Sequence, residues 1–65
     1  MIPQNEDQLM WGAALMLFRT HGEQAPLKVA ERIGALALEG DELGVTVWRG
    51  LAWRLAKLAK GEVRS

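Results

Sequence analysis

The side chains that could take part in catalysis are few and scattered. The sequence has no cysteine or tyrosine, one histidine, His21, and three hydroxyls, on Thr20, Thr46 and Ser65. His21 directly precedes Gly22, a position where a basic side chain interacts with the carboxyl end of a helix dipole. The acidic stretch EGDELG crowds its carboxylates too closely for a twelve-residue calcium loop. The sequence therefore predicts no catalytic residue, no metal site and no cofactor, and we do not expect an enzyme.

A basic surface with an aromatic side chain on it is the stronger functional candidate. On a helix of 100° per residue, the segment LAWRLAKLAK points Trp53 to the same side as the cations Arg49, Arg54, Lys57 and Lys60. Such a side can bind nucleic acid, an anionic lipid surface or an acidic protein, or it can be a solvated face whose Arg and Lys stems cover the indole. Because the cations form no continuous run, nucleic-acid or membrane binding is the alternative function and not the favoured one.

A helix-turn-helix unit is the other nucleic-acid motif that the sequence suggests, through PLKVAERIG and the helix after it. In such units the recognition helix follows after a turn of three or four residues. Here the first of the two helices continues through ALALE, and the next one opens with Asp41 and Glu42, which would face phosphate. The sequence therefore argues against DNA binding by this route.

The length of the chain limits its core and raises the expectation of an oligomer. Sixty-five residues form one domain, 1–65, and a core of this size supplies only about 3–5 kcal/mol without a disulfide, a metal or a second subunit. With no cysteine and one histidine, a second copy is the remaining means of stabilisation. The acidic N-terminus MIPQNED and the lack of a long apolar run favour the cytoplasm.

The charge is balanced overall but unevenly placed along the chain. Residues 1–48 carry three basic and seven acidic side chains, a net charge of −4, and residues 49–65 carry five basic and one acidic side chain, a net charge of +4. Such polarity can pair two copies head to tail, or it can cancel within one small bundle.

Capping and turn residues divide the chain into three helices, predicted at about 5–21, 26–39 and 41–60. Asn5 and Asp41 have side chains that cap helix N-termini, and Pro26 suits the first turn of the second helix. A glycine, which adopts left-handed backbone easily, follows each helix, at Gly22, Gly40 and Gly61. No window alternates apolar and polar residues. The predicted fold is all-α, a compact three-helix bundle or an orthogonal three-helix array, with a dimer as the expected assembly.

The second and third helices each have a defined apolar face that predicts the side buried in the core, whereas the first helix does not. The second helix has a predicted core face of Leu27, Ala30, Ile33 and Ala37, flanked by Val29 and Leu36, and the third has Leu51, Leu55 and Ala59. The first helix is apolar over most of its circumference, with Leu9, Ala13 and Met16 on one side, Met10, Ala14 and Leu17 beside them, and then Trp11, Leu15 and Phe18.

A helix that is apolar nearly all round must be buried nearly all round. Either the first helix is the central helix of the fold, or it forms a homodimer interface, for which enrichment in aromatic residues and Met is typical. We predict the dimer, with an interface composed of Met10, Trp11, Ala14, Leu17, Phe18 and Trp53. The predicted function is that of a small interaction or regulatory module, with a further protein partner as an open alternative.

Six short motifs occur in order along the chain. They are D-Q-x-x-W at Asp7, Gln8 and Trp11, H-G at His21 and Gly22, Pro26, A-E-R-I-G at residues 30–34, G-D at Gly40 and Asp41, and Trp48. This arrangement resembles a family of short alphaproteobacterial helical proteins classed as a domain of unknown function. The resemblance implies a small helical protein and carries no activity, ligand or catalytic residue, and Trp53 and the basic tail match none of the shared positions.

Overall fold

Three α-helices and one turn of 3-10 helix make up the computed structural model, which describes residues 4–61, and their side chains from residue 7 onward. The α-helices are α1, Gln4–His21, α2, Ala25–Leu38, and α3, Glu42–Lys60, and the 3-10 turn, Gly22–Gln24, joins α1 to α2. No strand occurs in this part of the chain. The all-α prediction is confirmed and the predicted helix ends agree to within a residue. Asn5 lies one residue inside α1, and its capping side chain falls outside the described side chains.

Local chemistry accounts for where the helices end. Gly22, Gly40 and Gly61 have φ angles of +59°, +77° and +72°, so each predicted terminal glycine adopts the left-handed conformation. After α2, the Gly40 and Asp41 amides donate to the carbonyls of Ala37 and Leu36, the paired bonds of a Schellman motif. The Asp41 carboxylate then accepts from the Gly44 amide at 2.8 Å and caps α3. Asp41 therefore ends one helix and begins the next.

The third helix, α3, is the central element of the fold. It packs along both α1 and α2, whereas α1 and α2 contact each other over only a few residues. The core lies where the chain turns from α1 into α2, and it consists of Ala25, Val29 and Leu55, with Leu17, Phe18, Ile33, Trp48 and Ala52 packed against them. The alternative in which the first helix is the central helix of the fold is therefore wrong, because α3 is the helix that packs along both of the others.

The predicted core face of α2 is wrong except at Ile33, which packs against the core. Leu27 is 53% exposed and Ala30 and Ala37 lie at the surface, whereas Val29 and Leu36 are buried. Residues 27 and 29 differ by about 200° around a helix, so they point to opposite sides. The α2 helix carries apolar side chains on both sides, and the position of α3 decides which of them is covered.

The molecule is thin, and little of it is interior. The Cα atoms extend over 36 × 34 × 16 Å. Among residues 7–61 six are buried, namely Ala14, Ala25, Val29, Leu36, Leu51 and Leu55. None of the described helices is both long enough and apolar enough to cross a membrane. The fold therefore depends on a small set of contacts between α3 and the two other helices.

Two glycines inside helices should respond oppositely to alanine. A Cβ added at Gly34 would meet no atom within 4 Å, so Gly34→Ala should raise the free energy of unfolding by about 0.5–1 kcal/mol through lower backbone entropy of the unfolded chain. A Cβ at Gly44 would lie 2.7 Å from the Asp41 carboxylate, so the gain there should be cancelled by damage to the cap. Urea unfolding followed by circular dichroism measures the free energy of unfolding of both variants. An equal increase in the two would contradict the expected damage to the Asp41 cap.

Candidate interaction surfaces

Two tryptophans and two cations form a cluster between α1 and α3, which we call the tryptophan cluster. The rings of Trp11 and Trp53 have centroids 6.0 Å apart and are tilted by 58°. The Arg54 guanidinium carbon lies 5.6 Å from the Trp11 ring centroid and 5.8 Å from that of Trp53. The Lys57 ammonium lies 5.3 Å from the Trp53 centroid. These are cation–π distances, so Arg54 holds the two aromatic rings of different helices together.

Arg54 also makes directed polar contacts on both sides of the cluster. Its Nη2 donates to the Asp7 carboxylate at 2.7 Å, and its Nη1 donates to the Gly50 carbonyl one turn earlier at 3.0 Å. The Arg54 side chain is only 17% exposed, and its Nε has no hydrogen-bond partner in the part of the chain that the structure describes. Arg54 is therefore part of the α1–α3 contact and is not available on the predicted basic face.

Gly50 has no side chain, and the space that one would fill is occupied by two other side chains. A Cβ added there would lie 3.1 Å from the terminal methyl of Met10 and 3.2 Å from the Arg54 Nη1. Both distances are shorter than ordinary van der Waals contact. Gly50 thus gives the Met10 and Arg54 side chains room to lie between α1 and α3.

Trp53 remains partly free on the outer side of the cluster. It is 57% exposed although Arg54 and Lys57 both pack on its ring. Of the alternatives that the sequence leaves open for this side of the helix, the structure thus has the one in which cations cover part of the indole. With Arg54 withdrawn, the basic face consists of Arg49 and Lys60, which are exposed, and Lys57, which is half-buried.

The predicted interface residues of the first helix mostly face the rest of their own chain. Ala14 is buried, Leu17 and Phe18 pack against the core, and Met10 and Trp11 are half-buried beside α3. Ala14 is therefore inaccessible to a second copy, because α1 turns this side toward the rest of its own fold.

The exposed side of α1 has a different set of residues. Leu9 is 72% exposed and Met16 is 61% exposed, and Ala13 and Thr20 lie at the surface with them. These four, spaced by four, three and four residues, form one stripe along the helix, which we call the outer α1 stripe. The sequence groups Leu9, Ala13 and Met16 on one side, but it does not distinguish that side from the buried one.

The polar residues that could take part in catalysis or metal binding lie at helix ends, within helices and at a turn. His21 is the last residue of α1, and the Thr46 hydroxyl donates to the Glu42 carbonyl of its own helix at 3.1 Å. An open hollow of about 370 Å³ lies at the turn between α2 and α3, lined by Ala37, Gly40, Asp41, Glu42, Val45 and Thr46. Within the described residues, no three His, Cys, Asp or Glu side chains are placed to hold a metal ion. The prediction that the chain is not an enzyme stays a prediction.

The model of one protein family covers most of the chain. The model of a family of unknown function, DUF6961, matches residues 6–63. The match runs from the first turns of α1 to beyond the end of α3 and confirms the resemblance to a family of unknown function. No curated protein and no solved structure matches the chain. The comparisons therefore carry over no ligand, activity or site residue.

Replacing Arg54 by lysine should weaken the α1–α3 contact. An ammonium cannot bridge the Asp7 carboxylate and the Gly50 carbonyl while lying flat between two rings, so Arg54→Lys should lower the free energy of unfolding by about 1 kcal/mol. Asp7→Asn should have a smaller effect because Asp7 is mostly exposed. Arg49→Lys, at an exposed position of the same helix, is the matched control. Chemical unfolding measures all three, and an Arg54 variant as stable as the control would contradict this role.

Proposed function

We propose that the chain, which belongs to the DUF6961 family of unknown function, is a small non-catalytic interaction module of the cytoplasm that self-associates through α1. The observation that carries the proposal is the outer α1 stripe. Leu9 and Met16 lie on it, one above the other, and are mostly exposed to water. Burying one such side chain is favourable by about 1.5–3 kcal/mol, and a two-fold interface would bury each of them twice.

The small interior of the protomer supports the same proposal. Only Leu55 and Val29 are large side chains that are fully buried among the described residues. Chains this short bury only about 60% of the surface that they expose when unfolded. A second copy that binds only the folded protomer would stabilise it by mass action. The outer α1 stripe would then contribute to stability as well as to recognition.

If the outer α1 stripe forms the interface, the dimer should persist at high salt. Light scattering in about 0.5 M salt, where charge interactions are screened, should give the mass of a dimer at micromolar concentration. Combining Leu9→Gln with Met16→Gln should raise the dissociation constant at least about tenfold, because apolar contacts are lost on both protomers. Leu27→Gln removes a leucine of α2 that is also more than half exposed and is the control.

Two results would contradict the α1 interface. A clean monomer at micromolar concentration in this buffer would remove self-association through an apolar surface. A dimer that dissociates equally in the Leu27→Gln control would move the interface away from α1. Circular dichroism of each variant excludes loss of the fold as the cause.

A second candidate function is binding of nucleic acid or another polyanion by α3. The observation that favours it is the exposed Trp53 ring between the cations Arg49, Lys57 and Lys60 on the outside of the fold. Aromatic rings interleaved with cations can stack on bases while the cations contact phosphates. The withdrawal of Arg54 into the α1–α3 contact reduces the charge available to such a partner.

Polyanion binding predicts mobility shifts of single-stranded DNA or RNA that weaken as salt is raised. The combination of Lys57→Glu and Lys60→Glu should abolish the shift, whereas Lys28→Glu, which changes an exposed lysine of α2, should not. The absence of any shift at low salt would remove this candidate.

A further inference from the structure

The side of α3 that faces away from the core has a regular row of exposed side chains. We call it the outer α3 row, and it consists of Glu42, Thr46, Arg49, Trp53, Ala56 and Lys60. All of these residues are exposed, and their spacing alternates between four and three residues. At 100° per residue they stay within about 40° of one line along the helix. This is the spacing with which one helix packs along another.

The chemistry of the row is complementary about its centre. Glu42 and Lys60 lie nine positions on either side of Leu51, and Arg49 and Trp53 lie two positions on either side of it. The first pair has opposite charges, and the second pair is a cation and an aromatic ring. Thr46 and Ala56, five positions from Leu51, are both small. A two-fold axis across the helix at the level of Leu51 would therefore bring each residue opposite its complement.

We propose that a second copy of the chain docks antiparallel on the outer α3 row. Glu42 of each copy pairs with Lys60 of the other, and Arg49 of each copy lies over Trp53 of the other. The proposal rests on the proposed function in that the chain self-associates, but it uses a different helix and a polar surface. Two unlike two-fold interfaces on one protomer lead to assemblies larger than a dimer.

The surroundings of the row are compatible with this occupant. The α3 side chains that are buried in the core, Leu51 and Leu55, lie on the opposite side of the helix. Trp11 of α1 contacts the row at Trp53, but all six residues of the row stay exposed. Within the described part of the chain, the charged groups of Glu42, Arg49 and Lys60 have no ion-pair partner. Trp53 remains 57% exposed with Arg54 and Lys57 already on its ring.

A second copy in the antiparallel orientation fits the row better than a copy in the parallel orientation or a polyanion does. Parallel docking would place Glu42 opposite Glu42 and Arg49 opposite Arg49, and like charges face each other in both pairs. A polyanion would meet the Glu42 carboxylate at one end of the row. Only the antiparallel copy satisfies both ends and the centre together. Because exposed ion pairs contribute little each, the contact should be weak and should loosen as salt is raised.

Directed crosslinking tests the predicted register, since the natural chain has no cysteine. Thr46→Cys and Ala56→Cys are prepared as separate proteins, one with a longer tag, and are mixed and oxidised at low salt. The two thiols should face each other in the antiparallel pair and form a mixed disulfide. Two copies of Thr46→Cys should not crosslink, because their sites lie ten residues apart along the pair, about 15 Å. Glu31→Cys on the outside of α2 measures crosslinking by random collision.

Exchange of the end charges tests the chemistry. Glu42→Lys alone and Lys60→Glu alone should each reduce the mixed disulfide by about five- to tenfold, because each places like charges opposite one another at both ends. The double variant should restore it, since the pairs are then re-formed with reversed signs. A polyanion site or a merely local role of Lys60 would not produce this restoration.

The outcomes separate this inference from the proposed function. A mixed disulfide that survives in the Leu9→Gln, Met16→Gln protein supports the α3 contact as an independent interface. A yield no higher than that of the Glu31→Cys control, or equal crosslinking of Thr46→Cys with itself, overturns it. In that case the dimer through α1 is still tested separately, by light scattering at high salt.

Discussion

The contact of Leu55 with Ala25 and Val29 is the constraint on which the rest of the structure depends. The α1 and α2 helices contact each other over only a few residues, so neither covers the apolar side of the other. One helix must therefore cover both, and Leu55 of α3 packs at their junction. This requirement fixes which side of each helix is buried, and it leaves the far side of α3 open along its length.

The helices and their ends could be predicted from the sequence because they depend on local chemistry. Gly22, Gly40 and Gly61 adopt left-handed backbone, and the Asp41 carboxylate caps α3, as their residue types indicate. The directions of the helices could not be predicted, because direction depends on the position of a partner helix. On α2, the leucine and alanine side chains of the exposed side are as apolar as Val29 on the buried side, and hydrophobic pattern alone does not rank them.

The candidate surfaces could be predicted only in part, because they too depend on contacts between helices. The sequence predicts that Trp53 lies among cations, and the structure places Arg54 and Lys57 on its ring. It does not predict that Arg54 leaves the solvated face, because this depends on Asp7 and Trp11 of another helix. On α1, apolar residues lie on nearly every side of the helix, so the hydrophobic pattern does not show which side is exposed. The position of α3 decides it.

The three tryptophans are divided between the two contacts of the central helix. Trp48 lies on the α2 side, where the Arg32 guanidinium carbon is 5.9 Å from its ring centroid, and Trp11 and Trp53 lie together on the α1 side. Each contact thus contains its own chromophore. Because the three indoles emit together, emission from Trp48 can be followed separately only after Trp11 and Trp53 are replaced. The paired rings are close enough for their electronic transitions to couple, and this coupling, read by circular dichroism, reports the separation of α1 from α3. The protein thus carries an intrinsic optical probe of its α1–α3 contact.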